Sequence, residues 1–188
     1  MNKAWTGVEN RARISLDAYR EIVDNLNKKL KESKNEVPDD MINTGKEENF
    51  EIELREVKRE ENVTYEGDLG ILGRSIGLLS NHHYPYNESM PYKIIDECFL
   101  QRPDRAWTAE EVAAWIETTR PTAYRHLNKL ISLGLIERCR AADGGPPTSA
   151  FHLRRGSLKK GWQKIETEIE LILEQYRKII KRISETNE

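Results

Sequence analysis

Between Thr119 and Ile131 the chain carries side chains suited to gripping a polyanion. Ala123, Leu127 and Leu130 recur at i, i+4 and i+7, the spacing of one buried stripe on a helix. The other side of that helix then presents Arg120, Pro121, Thr122, Tyr124, Arg125, Asn128 and Lys129. Arginine and lysine neutralise phosphate oxygens. Arginine also pairs two-pronged with guanine O6 and N7, and asparagine or threonine reaches other base edges. Arg138, Arg140, Arg154 and Arg155 flank an Asp143-Gly144-Gly145-Pro146-Pro147 turn and supply further cations. Residues 118–155 hold seven basic and two acidic side chains, a local +5 in a chain whose net charge is −2. Residues 36–67 hold eleven acidic and four basic ones, a local −7. Net positive charge is therefore densest in the one region whose residue types fit double-stranded DNA.

Other chemistries find less support. No Ser/His/Asp or Cys/His order, no metal-ligand spacing and no phosphate loop is legible, so neither an enzyme nor a metal or cofactor site is expected. His126 is expected to touch a phosphate or a neighbouring side chain, and His152 falls in the strand ahead of Arg154. His82 and His83 are adjacent, a poor spacing for ligating one metal. They read either as part of an aromatic linker packed on the next helix or as a sensor of metal or pH. Cys98 falls on a buried helix face and is expected to be inert. Cys139, beside Arg138 and Arg140, is a candidate reactive thiolate. Gly67, Gly70, Gly73 and Gly77 do not spell a dinucleotide fingerprint and read as close helix packing.

Local signals define the elements that would position the basic face. Thr119 is a good N-cap, Pro121 fits a first turn, and Gly134 suits the left-handed residue after a helix. Thr108 with Glu111 spells a capping box opening a preceding helix, with Val112, Trp115 and Ile116 inward. Ser89 and Pro91 start a helix that turns Ile94, Ile95, Cys98 and Phe99 inward, closed by Arg102-Pro103-Asp104. Residues 135–140 and 150–154 read as two strands around the Gly/Pro turn. Three helices and a hairpin in this order form a winged helix-turn-helix over residues 89–156. Ala113-Ala114-Trp115-Ile116, the run from Arg120 to Leu127, and Leu133 to Arg138 carry the similarity. On them the sequence resembles winged helix-turn-helix transcription regulators of prokaryotes, in particular the MarR-, PadR- and TrmB-like groups. About a third of the chain is covered. The resemblance implies a homodimeric, sequence-specific DNA-binding regulator. The paired cysteines of ArsR-like metal sensors have no counterpart here.

The flanks are expected to be an N-terminal α/β appendage (1–88) and a C-terminal helix (157–188), giving a mainly α fold with a small β wing. After Ser157, the residues Leu158, Trp162, Ile165, Ile169, Ile172, Tyr176, Ile179 and Ile183 follow in 4-3-4-3 spacing, the seam of a coiled coil. It reads as a dimerisation helix, with folding back on its own domain as the other reading. Leu16, Tyr19, Val23, Leu26 and Leu30, with Ile22, form a second seam in a helix expected to run from Ser15 to Ser33. A polar linker (34–48) follows. Phe50, Ile52 and Leu54 with Val63 and Tyr65 suggest a hairpin, and Asp68 a cap for a short helix over 69–79. Residues 34–87 are the expected place for an effector or protein partner. Charged residues are 33% and apolar ones 37% of the chain, and the mean hydropathy is −0.75. With two cysteines, no apolar leader at Met1 to Thr6 and no apolar run long enough for a bilayer, a cytoplasmic protein away from membranes is expected. The alternative to a DNA-binding regulator is a winged helix reused as a protein-interaction or assembly module.

Overall fold

In the computed structural model, which describes residues 2–30, 50–57, 64–80, 85–140 and 150–186, the two heptad seams close on each other. The elements run α1 (Asn2–Lys29), α2 (Tyr65–Ser75), α3 (Met90–Lys93, continued as a π-helical stretch over Ile94–Leu100), β1 (Trp107–Thr108), α4 (Ala109–Trp115), α5 (Arg120–Ser132), β2 (Ile136–Cys139), β3 (Ala150–Leu153) and α6 (Leu158–Thr186). The fold is mainly helical, with one antiparallel sheet in the order β1-β3-β2.

α1 and α6 lie antiparallel. Leu16, Tyr19, Ile22, Val23 and Leu26 of α1 are buried, as are Leu158, Trp162, Ile165, Ile169 and Leu173 of α6. The Tyr19 and Trp162 rings meet edge to face at 5.8 Å. Lys159–Asp24 at 2.8 Å, Arg20–Glu166 at 3.1 Å and Arg13–Glu170 at 3.1 Å line the pair, followed by Arg177–Glu9. Exposed ion pairs contribute at most about 1 kcal/mol each, whereas each fully buried aliphatic side chain contributes about 1.5–3 kcal/mol. The apolar seam holds the helices together and the charges select their register.

This pairing corrects the expected dimer seam. Leu158, Trp162, Ile165 and Ile169 are in the core of their own chain, because α1 offers the matching stripe. Ile172 is half-buried, and only Tyr176, Ile179 and Ile183 are exposed. α1 also begins at Asn2 rather than at Ser15. Ser15 is buried within it and hydrogen-bonds Tyr19. Upstream, Ala12 and Trp5 also pack on the core, while Val8 is exposed.

Residues 50–57 form an extended strap instead of a hairpin strand. Glu51 N donates to Ser132 O at 2.8 Å, Arg55 N donates to Ser75 O at 3.1 Å, and the Tyr19 hydroxyl donates to Arg55 O. The strap is thus tied to the ends of α5 and α2 and to the side of α1, where a hairpin strand would be tied to a partner strand. Tyr65 opens α2, capped by Thr64, whose hydroxyl accepts from Gly67 N at 3.1 Å. Asp68 is no cap: it is buried in α2 and pairs with Lys29 at 3.6 Å. Among the described residues before Ser89 no strand forms, and the regular elements there are helices; Val63 of the expected hairpin lies outside the described residues. The glycine packing is seen at Gly70, where an added Cβ would lie 2.5 Å from the Tyr86 ring. The expectations for His82, His83, the linker 34–48 and the turn Asp143–Pro147 fall outside the described residues.

The winged unit follows the expected order. Trp107 pairs with Phe151, and Ile136 with Leu153, bringing their side chains onto the core side of the sheet. The capping box is complete: Glu111 N donates to the Thr108 hydroxyl at 3.2 Å, and Thr108 N to the Glu111 carboxylate at 2.8 Å. α4 ends with Thr118 N donating to Ala113 O at 2.8 Å, around Glu117 at φ 55°. Trp115 departs from expectation. It is 45% exposed, with its indole N–H donating to Glu97 at 3.1 Å and Arg102 stacked 4.3 Å above its ring. One core joins α1, α2, the winged unit and the first half of α6.

Candidate nucleic-acid interface

The reading surface is built by α5. Thr119 caps it, accepting from Thr122 N at 3.4 Å, and Pro121 sits in the first turn. Ala123, Leu127 and Leu130 are fully buried, so the helix cannot roll about its axis. At its end Gly134 takes φ +73°. The positive φ requires glycine there, and an added Cβ would also push aside the Arg154 guanidinium, which lies 2.5 Å away.

Arg120, Pro121, Arg125 and Asn128 are exposed on the far side, with Thr122 and Lys129 half-buried beside them. Arg125 and Lys129 form no ion pair among the described residues. Arg120 pairs at 2.7 Å with Glu110, two residues beyond the cap of α4. Glu110 is a residue the sequence pattern did not single out, since its partner lies across the helix-turn-helix. It places a negative charge on this face, one that phosphates would have to displace from Arg120.

Other expected contact residues take different parts. Tyr124 is half-buried, edge to face with Phe151 at 6.0 Å. Arg138 donates to the Tyr124 hydroxyl at 3.3 Å and to Asn128 Oδ1 at 3.0 Å, with its guanidinium 5.1 Å above the Phe151 ring. The Tyr124–Arg138 cluster fastens β2 and β3 to α5, so these two residues position the reading face more than they present a free surface. Arg154 is corrected outright. Its guanidinium makes a two-pronged pair with Glu168 of α6 at 2.7 and 3.2 Å and donates to Gly134 O at 3.4 Å. A carboxylate that already takes both prongs leaves little for DNA. Arg140 is exposed at the end of β2. Arg155 is exposed at φ 55°, its backbone N donating to Glu137 at 2.9 Å.

The cysteines and histidines among the described residues are buried or half-buried. Burial, and then Glu137, push the Cys139 thiol up to about 12, so the expected thiolate does not form near neutral pH. Cys98 is pushed up to about 12 in the same way, by burial and then by Glu97, and is inert as expected. Burial, and then Arg125, lower the His126 pKa and favour the neutral ring. His152 is buried, its Nδ1–H donating to Leu153 O at 2.7 Å. Among the described residues no group of three metal-ligating side chains occurs, and no helix is long and apolar enough to cross a membrane.

Residues 91–139 match the family model described as Helix-turn-helix domain. The match spans α3 to β2, the elements that build and brace this face, and does not extend to the MarR-, PadR- or TrmB-like groups. Neither the comparison with curated proteins nor that with solved structures gives a match. A helix-turn-helix domain followed by a strand pair is the winged form of a DNA-binding unit.

Proposed function

We propose that the protein is a homodimeric, sequence-specific double-stranded DNA-binding transcription regulator of the cytoplasm, working without cofactor or chemical step. α5 enters the major groove and the strands beside it follow the backbone. The observation that carries this reading is Arg125, an exposed guanidinium with no ion pair among the described residues, on a helix whose opposite face is locked into the core. Near the N-terminal half of α5, it stands where a recognition helix meets base edges. Pairing of two copies is supported by Tyr176, Ile179 and Ile183, which continue the α6 seam at 52%, 49% and 46% exposure. A second copy would bury them and set two reading helices at a fixed spacing.

Binding-site selection on wild type, Arg125→Ala and Lys129→Ala tests the reading. Arg125→Ala is expected to relax preference at one position per half-site, by about 1–3 kcal/mol of discrimination. Lys129→Ala should weaken all sequences alike and lower the salt slope by about one. An unchanged sequence preference for Arg125→Ala would remove the basis for placing α5 in the groove.

A further inference from the structure

Beyond Ser15 towards the start of α1, the helix pair stops being filled. A groove of about 440 Å³ opens there between α1, α6 and the strap. Its size falls in the range of small-molecule sites, about 300–1,000 Å³. The cause is local: Ala12 and Ser15 line it from α1 with almost no side-chain volume. Trp5 and Tyr176, edge to face at 6.2 Å, bound it with flat apolar surface, and Leu54 of the strap and Leu173 of α6 add aliphatic surface. The Trp5 indole N–H is buried and has no hydrogen-bond partner among the described residues. An unmade bond of that kind costs about 1–3 kcal/mol.

Two charges line the same groove. Arg11 and Glu56 are both exposed, and neither pairs with the other or with another described residue. An apolar anion would satisfy Arg11 but face Glu56, and an apolar cation the reverse. A molecule with an apolar body and both charges on its head satisfies the two together.

We propose that this groove binds a small hydrophobic zwitterion of the class of the large apolar amino acids, its side chain over Ala12 and Ser15 against the Trp5–Tyr176 pair and its head group toward Arg11 and Glu56. The strap gives such a ligand a route to the reading helix. Leu54 and Glu56 touch the groove, and Glu51, three residues before Leu54, bonds to Ser132 at the end of α5. Binding does not require DNA. Its transmission rests on the DNA-binding reading, so the two are measured separately.

Calorimetry on the full chain with L-leucine, L-isoleucine, L-methionine, L-phenylalanine and L-tryptophan, each in turn, tests the site. At least one should bind at one site per chain. 3-Phenylpropanoate and 2-phenylethylamine, which each lack one charge, should bind about tenfold more weakly than L-phenylalanine or not at all. Arg11→Gln and Glu56→Gln, both at exposed positions, should each weaken binding several-fold. Ala12→Phe fills the hollow and should abolish binding while the protein still melts cooperatively. Absence of binding by all five amino acids overturns the proposal. So does an analogue that binds as tightly as its parent, or binding retained in Ala12→Phe or in both charge variants. If the five fail and Ala12→Phe also dissociates a dimer, a second copy occupies the groove. A gel shift with and without the bound amino acid then reads the route. Binding with DNA affinity unchanged overturns transmission alone, and a protein that binds the amino acid but shifts no DNA sinks the DNA reading alone.

Discussion

The two halves of α6 carry the same spacing and meet different surroundings. Leu158, Trp162, Ile165, Ile169 and Leu173 are at most 8% exposed, whereas Tyr176, Ile179 and Ile183 are near half. The near half faces the stripe of α1 from Leu16 to Leu26. The far half faces the start of α1, where Ala12 and Ser15 leave room and Trp5 meets Tyr176 edge to face. A heptad repeat thus specifies which side chains want cover, and the facing element decides what gives it. The near half serves stability, and the far half remains available for association.

The largest expected effect lies in the near half. Trp162→Ala removes a fully buried indole set edge to face with Tyr19 and its hydrogen bond to Glu166 at 3.0 Å. It should cost about 3–5 kcal/mol, read by chemical denaturation at several protein concentrations. A loss under about 1 kcal/mol would show that the near half is not a core.

In the far half, Ile179→Asp with Ile183→Asp should leave the fold intact and abolish self-association, as read by sedimentation. Cutting the chain after Gly156 would not make this distinction, because it also removes Trp162 and Ile165 from the core. A double variant that stays dimeric would move the interface elsewhere. One that unfolds would erase the contrast between the halves.

Arg154 sharpens the contrast from the other side, since it joins the wing to the near half through Glu168. Arg154→Ala should destabilise by about 2 kcal/mol, the scale of charge-assisted hydrogen bonds. It should leave the DNA affinity of the folded protein unchanged, unlike Arg125→Ala. Weaker DNA binding at full stability would reverse this assignment.

What was legible in the sequence follows a physical rule. The Thr119 cap, the Thr108–Glu111 box, the stripe Ala123-Leu127-Leu130 and Gly134 are interactions within a few residues of one another, so residue type and spacing fix them. Arg154 has the same side chain as Arg125, and only Glu168, fourteen residues on, separates brace from contact. Trp115 read as core because its spacing fits, but Glu97 and Arg102 satisfy it at the surface. Phe50, Ile52 and Leu54 alternate as a strand would. An extended strap laid on helices needs the same alternation, and its bonds to Ser132 and Ser75 are invisible from within the segment. The start of α1 was missed where Ala12 and Ser15 interrupt the apolar pattern, the same positions that open the groove.

The smallest expected effect tests whether charge or a partner holds the far half. Glu9 bonds to Arg177 there, and that bond is the main cause of a carboxyl pKa below 4.5; partial burial works against it, and Arg13 adds to the lowering. A carboxyl whose folded value is depressed contributes stability above its unfolded value and loses it as pH falls through the folded one. The far end of the helix pair should therefore loosen only in acid, below about pH 4.5. The Arg177 side chain is half exposed while Glu9 is largely covered, and a pair with one solvated partner contributes little. Arg177→Gln should raise the Glu9 titration midpoint seen by NMR while leaving the melting temperature at pH 7 within error of wild type. A drop in melting temperature comparable to that of Trp162→Ala would show that this ion pair, rather than the near-half seam, fastens α1 to α6.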